Sequence, residues 1–142
     1  MRIWGITDTG LVRRENQDAY ATAVAADCTV AVVCDGMGGT NGGHTASSIA
    51  VDTLLNELQA ALKPAMGWPQ INEAVLHAID QANLAIRARA REDESLSHMG
   101  TTLVCAVTRP DMAIIGNIGD SRAYHITAEG IFQISRDHSV VE

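Results

Sequence analysis

The chain has 142 residues and a formal net charge of -7, with 46% hydrophobic, 19% charged and 4% aromatic residues. That length is near the modal size of one domain, and the apolar fraction is enough for a single core filled by Ala, Val, Ile and Leu rather than by rings. The negative balance, with Lys63 the only lysine, excludes non-specific attraction to nucleic acid or anionic membranes.

Short strands are predicted over residues 3–7 and 19–24. Residues 28–34 (CTVAVVC) are apolar throughout and β-branched in their middle, which predicts a strand buried on both faces. It ends at Asp35 and a glycine-rich loop. From 45 to 62 the period changes, and Val51, Leu54, Leu55, Leu58 and Leu62 fall on one helical stripe. Pro64, Gly67 and Pro69 interrupt the chain. A second helix is predicted over 71–91, with Ile71, Ala74, Val75, Ala78, Ile79, Ala82 and Ile86 inward. Arg87, Arg89 and Arg91 close it where cations suit the helix dipole, so a solvated helix end is preferred there to a binding patch.

The remainder reads as strands over 101–108, 112–117, 122–127 and 131–134, with turn signals at 109–111 and 128–130. Short turns imply antiparallel pairing, and two helices followed by a meander define an α+β layout. Nothing after Ile134 closes the sheet, so at least one uncovered edge is expected, with dimerisation or strand swapping as its consequence. Cys28, Cys34 and Cys105 are odd in number, widely spaced and set in apolar surroundings. They read as buried free thiols of a reducing compartment, not a disulfide or zinc set. The N-terminus carries no leader-like apolar region, and no run approaches the roughly 18 apolar residues of a membrane span. A soluble, cytoplasmic protein is expected.

Three carboxylates stand out by position. Asp18 precedes a strand, Asp35 ends the most apolar one ahead of Gly36-Met37-Gly38-Gly39, and Asp120 lies between two strands in Gly116-Asn117-Ile118-Gly119-Asp120-Ser121. Carboxylates beside glycines at strand ends suit a hard cation, because backbone carbonyls can join the ligand set. Any one of them alone reads first as an ordinary turn residue, but a charge beside so apolar a strand as the one before Asp35 needs a partner. The run from Gly38 to Thr45 nearly matches a P-loop, with His44 in place of the lysine that reaches nucleotide phosphates. Nucleotide binding is therefore a distant reading. The five histidines show no metal-ligand spacing, and Ser121 and Ser139 lack a recognisable elbow or base.

Taken in order, the motifs are more specific than any one of them. Residues 7–13 (TDTGLVR) with Asn16-Gln17-Asp18-Ala19, residues 32–39 (VVCDGMGG), Gly100-Thr101-Thr102, residues 116–122 (GNIGDSR) and Asp137-His138-Ser139 together resemble the bacterial PP2C-type (PPM family) metal-dependent serine/threonine protein phosphatases. The resemblance implies an antiparallel β-sandwich flanked by helices with a site for two, or in bacterial members three, Mn²⁺ or Mg²⁺ ions. By carry-over Asp35 bridges two ions, the Gly36 carbonyl ligates one, Asp18 holds metal-bound waters, Asp120 helps form the third site, and Arg13 binds the substrate phosphate. Arg14 competes for that role, but Arg13 has the family's offset to Asp18.

Two departures accompany the match. Many members carry a histidine, proposed as general acid, where this chain has Thr40; His44 is the nearest substitute. The later motifs, with two further ligand aspartates, are not found before Glu142. The expectation is a single domain over residues 1–142, incomplete toward its C-terminus. Its family activity is hydrolysis of phosphoserine and phosphothreonine in signalling proteins, opposing a kinase, and the chain itself is weakly active or inactive. The alternative is a non-catalytic phosphatase-like binding or regulatory module.

Overall fold

The computed structural model describes residues 1–39 and 41–139. Its elements in order are β1 (Asp18–Ala25), β2 (Cys28–Met37), α1 (Gly42–Ala61), α2 (Trp68–Glu92), a 3₁₀ turn (Glu94–Leu96), β3 (Gly100–Thr101), β4 (Leu103–Arg109), β5 (Met112–Ile118), β6 (Tyr124–Thr127) and β7 (Gly130–Gln133). A five-stranded antiparallel sheet runs β1-β2-β4-β5 with β3 continuing β4 along β2, and β6 pairs with β7 in a separate hairpin. The expected α+β class with antiparallel sheets and two helices is present. The meander is broken, since β6 does not join β5.

The two helices cover one face of the large sheet. Along β2, Cys28, Val30, Val32 and Cys34 are buried while the alternate side chains are not, and Val33 is 47% exposed. This corrects the expectation of a strand buried on both faces: only one face meets helices, and the apolar odd-numbered positions point to the other. β2 also continues past Asp35 to Met37, so Asp35 sits inside a paired strand rather than at its end. Core partners come from α1 (Ala50, Val51, Leu54, Leu58), α2 (Ile71, Val75, Ala78, Ala82) and β4 (Leu103, Cys105, Val107).

Helix α1 starts three residues ahead of its expected start at 45, because Gly42 and Gly43 pack against the strand end and are buried. Helix α2 starts at Trp68 and takes Pro69 into its first turn, where a missing N–H leaves no intrahelical bond unmade. The strand expected over 3–7 is absent. Those residues find no ladder partner and lie across the outer side of β1, with Tyr20 donating its hydroxyl to the Gly5 carbonyl at 3.1 Å. No described helix is long and apolar enough to cross a membrane.

Candidate metal and phosphate site

Pairing of β1 with β2 sets Asp18 directly opposite Asp35, so both side chains leave the same face of the sheet at one end. A cleft of about 870 Å³ opens there, and its walls include Arg13, Asp18, Asp35, Gly36, Thr102 and Asp120. Residues more than a hundred positions apart are thereby brought to one place. Thr40 lies outside the described residues.

Each wall has a local cause. The β1 entry is fixed by Asn16, whose amide oxygen accepts from the Asp18 N–H at 3.0 Å while its NH₂ donates to the Thr7 hydroxyl at 2.7 Å. Gln17 ties that entry to the glycine loop by donating to the Gly39 carbonyl at 2.9 Å. Gly36 donates its N–H to the Gln17 carbonyl at 3.1 Å, and a Cβ on Gly36 would collide with the Gly43 carbonyl at the start of α1. Any other residue at 36 would push helix and strand apart. Gly38, at φ 130°, takes a backbone conformation that L side chains rarely adopt, and a Cβ there would meet the backbone of Met99 at 2.6 Å.

The Asp120 loop is held from behind by residues 136–138. Asn117 donates to the Arg136 carbonyl at 2.9 Å, and the His138 N–H donates to the Gly119 carbonyl at 2.9 Å. Arg122 grips Asp137 through Nε at 3.0 Å and Nη2 at 2.6 Å, a fork of charge-assisted bonds that holds Asp137 below its ordinary carboxylate range. The Asp137-His138-Ser139 segment therefore braces the site and lends it no ligand among the described residues.

The carboxyl of Asp35 is pushed above its ordinary value. Desolvation at the cleft wall is the largest cause, followed by the charge of Asp18 and a carboxyl–carboxyl hydrogen bond with it, then the charge of Asp120; Arg13 only partly offsets them. Mutual repulsion of this kind is what a bound cation relieves. The donors that face the cleft are hard oxygens, which match Mg²⁺ or Mn²⁺. Among the described residues no group of three or more His, Cys, Asp or Glu side chains converges closely enough to hold an ion. The chemistry of the donor set thus fits a divalent cation.

His44 is exposed on the first turn of α1 and does not line the cleft. Gly42, Gly43, Ala46 and Ser47 occupy the buried side of that turn, which leaves His44 facing outward. Asp8 and Glu15 also line the cleft without having stood out in the sequence. Thr102 was visible only as part of a motif, with no role attached; its register opposite Asp35 was the missing signal.

Comparison with known proteins agrees with this geometry. The sequence pattern described as Protein phosphatase 2C matches residues 12–140, and the chain belongs to that family. It is 33% identical over 136 residues to the serine/threonine phosphatase stp of Listeria innocua, a match covering 95% of this chain and 54% of the relative. Among solved structures, a bacterial serine phosphatase superposes with a TM-score of 0.87 at 35% identity, covering 96% of this chain and 62% of the other. The catalytic domain of the phosphatase PstP, solved in complex with two manganese ions, superposes with a TM-score of 0.76 at 28% identity, covering 94% of this chain and 54% of the other. The chain thus spans about half the length of the curated relatives it matches.

Proposed function

We propose that this chain contributes the Arg13, Asp18, Asp35, Gly36 and Asp120 part of a site that hydrolyses phosphoserine and phosphothreonine in proteins. The observation that carries the reading is the cleft itself, where carboxylates from β1, β2 and the β5–β6 connection face one another beside Arg13 and Arg14. When bound, a pair of divalent cations supplies an activated water and neutralises charge developing on phosphorus. Asp35, opposite Asp18 across the strand pair, would hold the ions together with the neutral oxygen of the Gly36 carbonyl. Asp18 would hold water bound to the ions. Asp120 adds charge for a further, weaker ion. Arg13 offers a planar fork of donors to the phosphate oxygens and orients the ester for in-line attack.

With few donors gathered here, the remaining ligands are proposed to lie in the part of the relatives that this chain does not match. The domain is then complete only beyond residues 1–142, and turnover by this chain alone is weak or nil. The same scarcity of donors favours one second reading, a phosphatase-like module that binds a partner without catalysis. The substrates proposed are proteins phosphorylated by a serine/threonine kinase in the cytoplasm. Self-association is proposed through exposed apolar side chains of the β6–β7 hairpin such as Ile126 and Ile131.

The deciding experiment is Mn²⁺-dependent hydrolysis of a phosphothreonine peptide by this chain and by a version extended to the length of its relatives, each beside Asp35→Ala. Activity of the extended protein that disappears with Asp35→Ala supports the catalytic reading. Absence of activity in a folded, Mn²⁺-loaded extended protein would leave the binding module. Turnover by residues 1–142 alone would overturn the proposal that ligands are missing.

A further inference from the structure

The strand pair that carries Asp35 keeps one register along its length: Met37 faces Gly100, Gly36 faces Thr101, and Val33 faces Val104. Asp35 therefore lies opposite Thr102, where an antiparallel pair exchanging both backbone bonds would be expected. Half of that exchange is made, from the Thr102 N–H to the Asp35 carbonyl at 2.9 Å. The other half is substituted. The Asp35 N–H donates to the Thr102 hydroxyl at 2.9 Å, while the Thr102 carbonyl accepts from the Thr101 hydroxyl at 2.9 Å.

The same Thr102 hydroxyl lies 2.6 Å from the hydroxyl of Ser121, the residue after Asp120. One hydroxyl has a hydrogen and two lone pairs, so it serves both partners at once. Gly119, at φ 94°, presses against this side chain so closely that a Cβ there would sit 2.8 Å from Thr102 Cγ2. Thr102 is 4% exposed, and with Ser47 it makes up the described buried polar side chains. Filling the sheet would not require a hydroxyl at this position, since valine has the same shape.

We propose that Thr102 is a positioning residue for the ion site: its hydroxyl fastens the strand segment bearing Asp35 to the loop bearing Asp120, so that the two carboxylates keep one separation across the cleft. The proposal deepens the ion-site reading above and rests on it. Without the hydroxyl the Asp35 N–H loses its acceptor and the Ser121 loop loses its tether, while the apolar packing of residue 102 survives.

The test compares Thr102→Val, Thr102→Ser and Ser121→Ala in this chain, by amide hydrogen exchange measured by NMR without metal and by Mn²⁺ titration followed by EPR. Thr102→Val is expected to speed exchange of the Asp35 amide about tenfold and to weaken Mn²⁺ binding about tenfold, the worth of one hydrogen bond. Thr102→Ser is expected to restore both within about twofold. Ser121→Ala is expected to weaken Mn²⁺ binding while leaving the Asp35 amide protected, and it carries the test should the valine variant not fold. Wild-type protection and wild-type Mn²⁺ affinity in Thr102→Val, or failure of serine to rescue, overturns the proposal. If the wild-type chain takes up no Mn²⁺, the ion-site reading fails separately. The fastening is then judged by exchange at Asp35 and by the amide resonances of residues 119–121. Both changing in valine and neither in serine supports it; a change at Asp35 alone overturns it.

Discussion

The two ends of the large sheet handle a carboxylate in opposite ways. At the end away from the cleft, Asp27 accepts from the Ala65 N–H at 3.1 Å and from Arg109 at 3.0 Å. Arg109 also donates to the Met66 carbonyl at 2.7 Å and stacks 5.2 Å from the centroid of Trp68. The Ala65 amide, then Arg109, hold Asp27 below its ordinary range. At the cleft end, Asp35 is pushed above its ordinary range, by desolvation first and then by the charges of Asp18 and Asp120. The first end joins strand turns to the α1–α2 connection and leaves its charge matched. The second leaves charge unmatched, which stabilises nothing by itself and fits a place where a cation binds.

The largest expected effect comes from removing the unmatched charge. Asp35→Asn should weaken Mn²⁺ binding at least about a hundredfold, read by EPR titration, because a ligand is lost rather than one of its supports. In EDTA the same variant should unfold at equal or higher urea concentration than wild type, since repulsion with Asp18 disappears. A lower midpoint would mean that Asp35 is a structural carboxylate and would dissolve the contrast between the ends. Arg109→Ala should do the reverse, lowering the urea midpoint while leaving Mn²⁺ affinity within about twofold, because it strands Asp27 and the Met66 carbonyl far from the cleft.

The pH dependence separates the ends further. Asp27 has a folded pKa below its unfolded value, so its contribution is present above the ordinary carboxylate pKa and fades as pH falls through the lowered one. Asp35 has a raised folded pKa, so the metal-free chain loses stability as pH rises from about 4 through that raised value. The midpoint of Asp35→Asn minus that of wild type should therefore widen between acid and neutral pH, measured by urea unfolding in EDTA. A flat difference would remove the electrostatic account. A smaller effect is expected from Arg13→Ala, which should weaken inorganic phosphate binding to the Mn²⁺-loaded chain about tenfold by isothermal titration, the worth of one charge-assisted contact.

What could be read from the sequence followed the strength of its periodic signals. The stripe Leu54, Leu58, Leu62 and the run Ile71, Val75, Ala78, Ala82 are buried as the helical period requires. The strands at 112–118 and 124–127 came within two residues of their expected starts and ends. The motifs around Asp18, Asp35 and Asp120 converge in one cleft, which no spacing in the sequence dictates, because convergence depends on strand register. Register is also why Thr102 stayed silent and why the one-sided burial of β2 was missed: an apolar run looks alike whether one or both faces are covered. His44 was singled out by proximity along the chain, and two buried glycines before it turned it outward.

The buried thiols carry a practical consequence. Burial pushes Cys34 up to about 12 and Cys105 up to about 11, so at neutral pH almost none of either is thiolate, the form that reacts. Both sit between the sheet and the helices. An alkylating reagent therefore reaches them only when those layers part, and its slow rate of modification clocks that opening without any added label.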